Sequence, residues 1–135
     1  MRLRYLLDTN ICIFIIKNRP PAARERFAGL RPGEVGISAI TEAELRFGAE
    51  KSVHIANNVA ALLDFTSQME VLPFDSRTTA RYGLLRAELV RAGTPIGPLD
   101  FLIAATALTH DLTLVTNNTG EFARVTGLVL EDWTR

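Results

Sequence analysis

Tyr5-Leu6-Leu7-Asp8-Thr9-Asn10 is the stretch on which the reading of the chain turns. An apolar run stops abruptly at Asp-Thr-Asn, and a second apolar run, Ile11 to Ile16, begins at once. The pattern reads as a short buried strand, a turn and then a helix. Asp8 falls where the strand ends and the helix begins. In open α/β sheets that edge is where ligands bind. An Asp ahead of a helix also serves as a cap, because its carboxylate accepts the backbone N–H groups that have no partner in the first turn. Taken alone, Asp8 fits either role.

Beyond this stretch the chain alternates regularly. After the strand over 3–7 come helices over 9–17, stopped by Asn18-Arg19-Pro20-Pro21, and 22–30, with Ala23, Phe27 and Leu30 on one side. A turn at 31–34 leads to a second strand, 35–38, and a helix that starts at Ser38 or Thr41 and reaches about residue 50. A helix over 54–67 shows Val59, Leu62, Leu63 and Phe65 as its apolar face. A third strand over 70–72 ends at Pro73, and a long helix over 76–92 ends at Gly93. After the loop 94–98, Pro98 suits the first turn of a helix that runs to about His110. Strands over 112–116 and 129–131 complete the chain. This alternation predicts an α/β fold, a single three-layer α/β/α domain over 1–135 with a mostly parallel central sheet of four to five strands.

Composition narrows the function. The chain has 135 residues, 47% of them apolar, and 15 basic residues balance 15 acidic ones. It is long enough to bury a core, and it lacks the basic field that grips nucleic acid without selectivity. All the basic residues but Lys17 and Lys51 are arginine, a side chain suited to planar contacts with phosphate or carboxylate. The one cysteine, Cys12, allows no internal disulfide and sits in an apolar run, as a small buried hydrophobe does. No stretch has the length or hydrophobicity of a membrane span, and the N-terminal apolar run is too short for a signal peptide. A cytoplasmic protein is expected.

The informative residues are carboxylates in places that favour apolar side chains. In the helix after the second strand, Ile40, Ala43 and Phe47 read as the inward stripe. Glu44 lies on its edge, while Glu42 points the other way with Arg46 and Ala49. In the helix from Pro98, apolar residues lie nearly all round, and Asp100 is the one charge before the last turn. Its face carries Ile103, Ala104 and Ala107. A helix dipole favours an acid at that position, so a first-turn role competes with a site role. After the fourth strand, Asn118 or Glu121 can face the same edge. In a parallel sheet all these positions open on one side. Three or four carboxylates gathered there repel one another unless a cation sits among them, and oxygen ligands without His or Cys suit Mg²⁺ or Mn²⁺. His54 and His110 read instead as a surface residue and a helix terminus.

With these residues in place, the chain resembles the PIN-domain ribonucleases, and among them the VapC toxins of bacterial VapBC toxin–antitoxin pairs. The matching segments are Leu6 to Ile11, Ile37 to Gly48 with Glu44 as its acid, Gly93 to Asp100 followed by Ile103-Ala104, Val115 to Asn118 with Glu121-Phe122, and Glu131-Asp132-Trp133. The resemblance implies a Mg²⁺- or Mn²⁺-dependent endoribonuclease that cleaves RNA, tRNA loops in particular, by metal-activated water and so inhibits translation. It implies Asp8, Glu44, Asp100 and Glu121 as catalytic acids, with Asp8 and Asp100 as metal ligands. Thr9, Asn10, Thr116 and Asn118 become the polar groups that support them. Many family members carry Asp where this chain has Asn118, or just before the Phe where it has Glu121, so the fourth acidic position stays open between the two. The resemblance further implies a homodimer restrained by a VapB-type antitoxin.

Other classes fit the residues less well. A phosphatase with an Asp nucleophile wants Asp-x-Asp, and Asn10 stands at the second position. A receiver-like module wants a late Lys, and both lysines are early. A nucleotide-binding fold wants a glycine-rich loop after the first strand. A non-catalytic module holding a basic peptide in an acidic pocket, or another metal-dependent phosphohydrolase, is the remaining alternative.

Overall fold

The opening run forms β1 (Tyr5–Leu7), a strand buried at every position and central in the sheet. The computed structural model describes residues 2–135. Around β1 lie β2 (Val35–Ser38), β3 (Glu70–Leu72), β4 (Thr113–Val115) and β5 (Leu130–Glu131), in the order β3-β2-β1-β4-β5 and parallel throughout. The helices are α1 (Thr9–Lys17), α2 (Pro21–Ala28), α3 (Ala39–Glu50), α4 (Ile55–Thr66), α5 (Ser76–Arg91), α6 (Pro98–Thr109) and the short α7 (Thr119–Phe122). No helix among the described residues is long and apolar enough to cross a membrane.

Strand alternation divides the core in two. Leu6, Leu72 and Leu114 point to the face packed by α5 and α6, with Leu85, Leu89, Phe101, Ile103 and Ala104. Tyr5, Leu7, Val35, Ile37 and Val115 point to the other face, against Ile11 and Ile15 of α1, Leu45 of α3, and Leu62 and Phe65 of α4. A sheet covered on both faces needs strands apolar at successive positions, and Tyr5-Leu6-Leu7 supplies that. Helix α6 is buried from Phe101 through Ala107 except at Leu102, and its alanines let α5 approach closely. Cys12 is fully buried among apolar neighbours.

Two helix faces differ from the sequence expectation. The inward stripe of α3 is Thr41, Leu45 and Ala49, whereas Ala43 is exposed and Phe47 is 66% exposed. Hydrophobicity alone selects the wrong stripe, because Ser38 caps the helix through Thr41 N and fixes its phase, turning Thr41 under the sheet edge. Ile40 alone of the expected stripe packs on the core, and it does so on the α5–α6 side. In α4, Leu62 and Phe65 are buried, but Leu63 faces outward.

The C-terminus closes the far edge. Trp133 is fully buried with its ring edge-on to Tyr5, 5.3 Å between centroids, and its indole N–H donates to Glu131 Oε1 at 3.0 Å. Arg26 of α2 ion-pairs with the same Glu131 at 2.9 Å and covers the indole ring. Burial of a Trp is worth several kcal/mol, so Trp133 anchors β5, a strand only two residues long.

Candidate active site

Every acidic residue singled out from sequence lies at the edge where the parallel strands end. Asp8 directly follows β1, and its Oδ1 accepts the Ile11 backbone N–H at 2.9 Å, so it does cap α1. It is only 5% exposed. Burial is the main force raising its proton affinity, reinforced by the charges of Glu44 and Asp132, and hydrogen bonds from Thr116 and the Ile11 N–H oppose the rise. A cap needs no such company. Asp8 is at once a helix cap and a member of an acidic group.

Glu44 reaches the same edge from α3. It is half-buried, and its Oε1 accepts a 2.6 Å hydrogen bond from the Thr9 hydroxyl. The Thr9 hydroxyl also stands 3.3 Å from that of Thr41, which stands 3.3 Å from Ser38 Oγ. A file of hydroxyls thus runs from the α3 cap to the Glu44 carboxylate. Glu42 is exposed, as the helix phase requires.

Asp100 stands in the first turn of α6, whose N-cap, Gly97, provides no side-chain hydrogen bond. Its carboxyl is pushed up to about 6, first by burial and then by the charges of Glu121, Asp8 and Glu44. The four acids are therefore electrostatically one group. Glu121 behaves differently. Its Oε1 accepts the Gly97 N–H at 2.7 Å and its Oε2 accepts from Asn118 Nδ2 at 3.0 Å, and these bonds hold its carboxyl below the usual carboxylate range. Asn118 and Glu121, the two candidates for the fourth position, are hydrogen-bonded to each other.

Thr116 follows β4; its hydroxyl accepts the Asn118 N–H at 2.9 Å, and it lies near enough to Asp8 to lower that carboxyl's proton affinity. Thr9 and Asn118 hydrogen-bond Glu44 and Glu121, and Thr116 lies beside Asp8. Asn10 is exposed.

Asp132 joins the group without having been singled out from sequence. Strand register places it in line with Asp8 and Thr116, because Leu7 pairs with Val115 and Val115 with Glu131. A signal is present in the chain, since Leu130-Glu131-Asp132 repeats in miniature the strand-then-acid pattern of Leu7-Asp8. Asp132 Oδ1 is engaged by Thr134 N and Oγ1 at 2.9 and 2.6 Å.

The ion pairs among the described residues engage Glu34, Glu131, Glu50 and Asp132, and none engages Asp8, Glu44, Asp100 or Glu121. Partly buried carboxylates that no described side chain ion-pairs offer oxygen donors of the kind a hard divalent cation takes. Among the described residues no three acids close on one point tightly enough to complete a coordination shell.

Comparison with known proteins agrees with this geometry. Residues 5–128 match the PIN domain family. The chain is 50% identical to the tRNA(fMet)-specific endonuclease VapC of Shigella flexneri over 131 residues, which are 97% of this chain and 98% of that protein. It is 44% identical to ribonuclease VapC2 of Haemophilus influenzae over the same shares of the two chains. Among solved structures, DNA-bound VapBC from Salmonella typhimurium superposes with a TM-score of 0.91 at 48% identity, over 97% of this chain and 98% of that one. VapBC2 from Rickettsia felis, bound to a DNA fragment from its promoter, gives 0.90 at 39% identity over 97% and 99%. Nucleases of this family depend on divalent metal. The chain belongs to the PIN-domain family and, within it, to the VapC ribonucleases.

Proposed function

We propose that the chain is a Mg²⁺- or Mn²⁺-dependent endoribonuclease that cuts a tRNA loop, inhibits translation and is restrained by a VapB-type antitoxin. The observation that carries this reading is the meeting of Asp8, Glu44 and Asp100 at one strand edge, with no ion pair to any of them among the described residues. The substrate class rests on the relatives from Shigella flexneri and Salmonella typhimurium, both named for tRNA(fMet). The partner rests on the VapBC complexes among the structural neighbours. A tRNA substrate places the protein in the cytoplasm, and the family resemblance argues for a homodimer formed by a single domain over 1–135.

In this reading Asp8 and Asp100 hold the ion. Asp8 is held from two sides, because its carboxylate accepts the Ile11 N–H and its own N–H donates to the Val115 carbonyl. Glu44 has one oxygen anchored by Thr9 and the other available to accept the proton of the attacking water. Glu121 adds negative charge beside Asp100 and holds the loop that carries it. When bound, the ion offsets charge on the scissile phosphate and acidifies a coordinated water. Water attack then leaves a 5′-phosphate and a 3′-hydroxyl. Because such a site reads unstacked nucleotides, a loop is the suitable target.

The test is incubation of the purified protein with total RNA and Mg²⁺, followed by mapping of new 5′ ends. One discrete cut in a tRNA, lost in Asp8→Asn and in Asp100→Asn while both keep a folded circular-dichroism spectrum, is expected. Cleavage at the native rate by either variant would sink the assignment.

A further inference from the structure

The segment after β4 contains an arginine whose charge bears on Glu121 and whose guanidinium reaches a distant loop. Arg124 lies just past α7, is exposed, and is in no ion pair among the described residues. Its Nη1 donates to the backbone carbonyl of Pro95 at 2.9 Å, 29 positions away.

That bond is one of two by which the same segment grips the loop before α6. Glu121 holds the Gly97 N–H at 2.7 Å, and Arg124 holds the Pro95 carbonyl. Between them Ile96 is buried in the core that also contains Phe122 and Val125. The loop leads directly into the turn carrying Asp100: the Phe101 N–H donates to the Gly97 carbonyl at 3.0 Å, and a Cβ on Gly97 would lie 3.1 Å from Asp100 Oδ2. A shift of the loop therefore bears on the turn that carries the carboxylate.

The other end of the segment lies beside Asp8. The Asn118 N–H donates to Thr116 Oγ1, and Asp8 N–H donates to the carbonyl of the preceding Val115 at 3.0 Å. One continuous stretch, 116–124, thus runs from beside Asp8 to the loop that leads into Asp100. We propose that Arg124 is a positioning residue for cleavage: by holding the Pro95 carbonyl it locks the loop onto α7 and sets where Asp100 stands relative to Asp8. This rests on the reading that Asp8 and Asp100 hold the ion. An exposed hydrogen bond is worth only about 1 kcal/mol to stability, so its consequence lies in precision. A misplacement of about 1 Å at a reacting centre can cost about 10²-fold.

The experiment compares Arg124→Ala, Arg124→Lys and Asp100→Asn with the native chain. Mn²⁺ binding to the RNA-free protein, hydrogen exchange at the Gly97 amide, and kcat and KM on a fixed tRNA are measured. In Arg124→Ala, Mn²⁺ binding weakens about 10-fold, in the range seen when groups orienting metal ligands are lost. Exchange at Gly97 accelerates, and kcat falls while KM stays within about twofold. Arg124→Lys, which can still donate to the carbonyl, recovers most of each. Unchanged Mn²⁺ affinity and Gly97 exchange in Arg124→Ala overturn the proposal. In that event a raised KM makes Arg124 a phosphate contact, and a lowered melting point alone makes it a structural tie. Asp100→Asn must lose Mn²⁺ binding. If it binds like the native chain, the metal assignment itself fails, whatever Arg124 does.

Discussion

The Thr9 hydroxyl donates a 2.6 Å hydrogen bond to Glu44 Oε1, joining α1 to α3 across 35 positions of sequence. Thr9 is the neighbour of Asp8, so the residue next to one acid aims another. Thr9→Val keeps the shape of the side chain and removes the donor. Cleavage of a fixed RNA is expected to fall about 10-fold, with the circular-dichroism melting curve nearly unchanged. Thr9→Ser, which keeps the hydroxyl, retains most activity. A native rate in Thr9→Val would show that Glu44 needs no such aim.

Glu42 and Glu44 make an internal control on one helix. Glu42 is exposed in the first turn of α3, whereas Glu44 is half-buried at the strand edge. Glu44→Ala is expected to lower kcat by about 10²-fold or more, as loss of a general base does. Glu42→Ala changes kcat by less than about twofold, costing at most the few tenths of a kcal/mol of an acid near a helix N-terminus. Rate measurements with Mg²⁺ at saturating RNA decide it, and the reverse ranking would place the wrong glutamate in the site.

Local sequence encodes some of these features and is silent on others. Strand and helix order are legible because each apolar run meets a hard stop, such as Asp8, Pro73 or Gly93. Asp8 and Asp100 are legible because a charge inside an apolar run stands out. The α3 phase is not, since Phe47 is exposed and Thr41 fully buried, against their usual preferences. The cap at Ser38 decides the phase, and hydropathy does not register caps. Asp132 and Arg124 stay hidden for another reason. Their significance depends on register between distant strands and on a bond to a backbone carbonyl, neither of which leaves a mark in local composition.

Asp100 also links stability to pH. Its carboxyl titrates at about 6, above the value of about 3.9 for an unfolded Asp. A raised carboxyl favours the native state while protonated, so that contribution is present below pH 4 and is lost as pH rises through 6. Asparagine cannot ionise. In metal-free buffer the two proteins differ little at pH 4, and Asp100→Asn becomes the more stable between pH 4 and 7. Solvent reaches Asp100, which holds the effect to about 1 kcal/mol, or about 2–5 °C in melting temperature. Mg²⁺ is expected to raise the melting point of the native chain at pH 7.5 and leave the variant unmoved. A pH-independent difference would contradict the raised Asp100 carboxyl, which burial and the charges of Glu121, Asp8 and Glu44 produce.

Gly97→Ala separates folding from function at a single atom. The φ at this position is −58°, which alanine adopts freely. Reduced freedom in the unfolded chain therefore favours the variant by about 0.4–1 kcal/mol. Against this, the new methyl meets Asp100 Oδ2 at 3.1 Å and Glu121 Oε1 at 3.7 Å. Both contacts are to the ends of side chains, and the Asp100 carboxylate can yield by a small rotation. Melting temperature is expected to move by no more than about 3 °C in either direction, while kcat falls about 10-fold or more because the displaced carboxylate no longer meets its partners. If Gly97→Ala cleaves RNA at the native rate and binds Mn²⁺ with native affinity, then Asp100 tolerates displacement, and the close approach of the loop to its carboxylate has no part in catalysis.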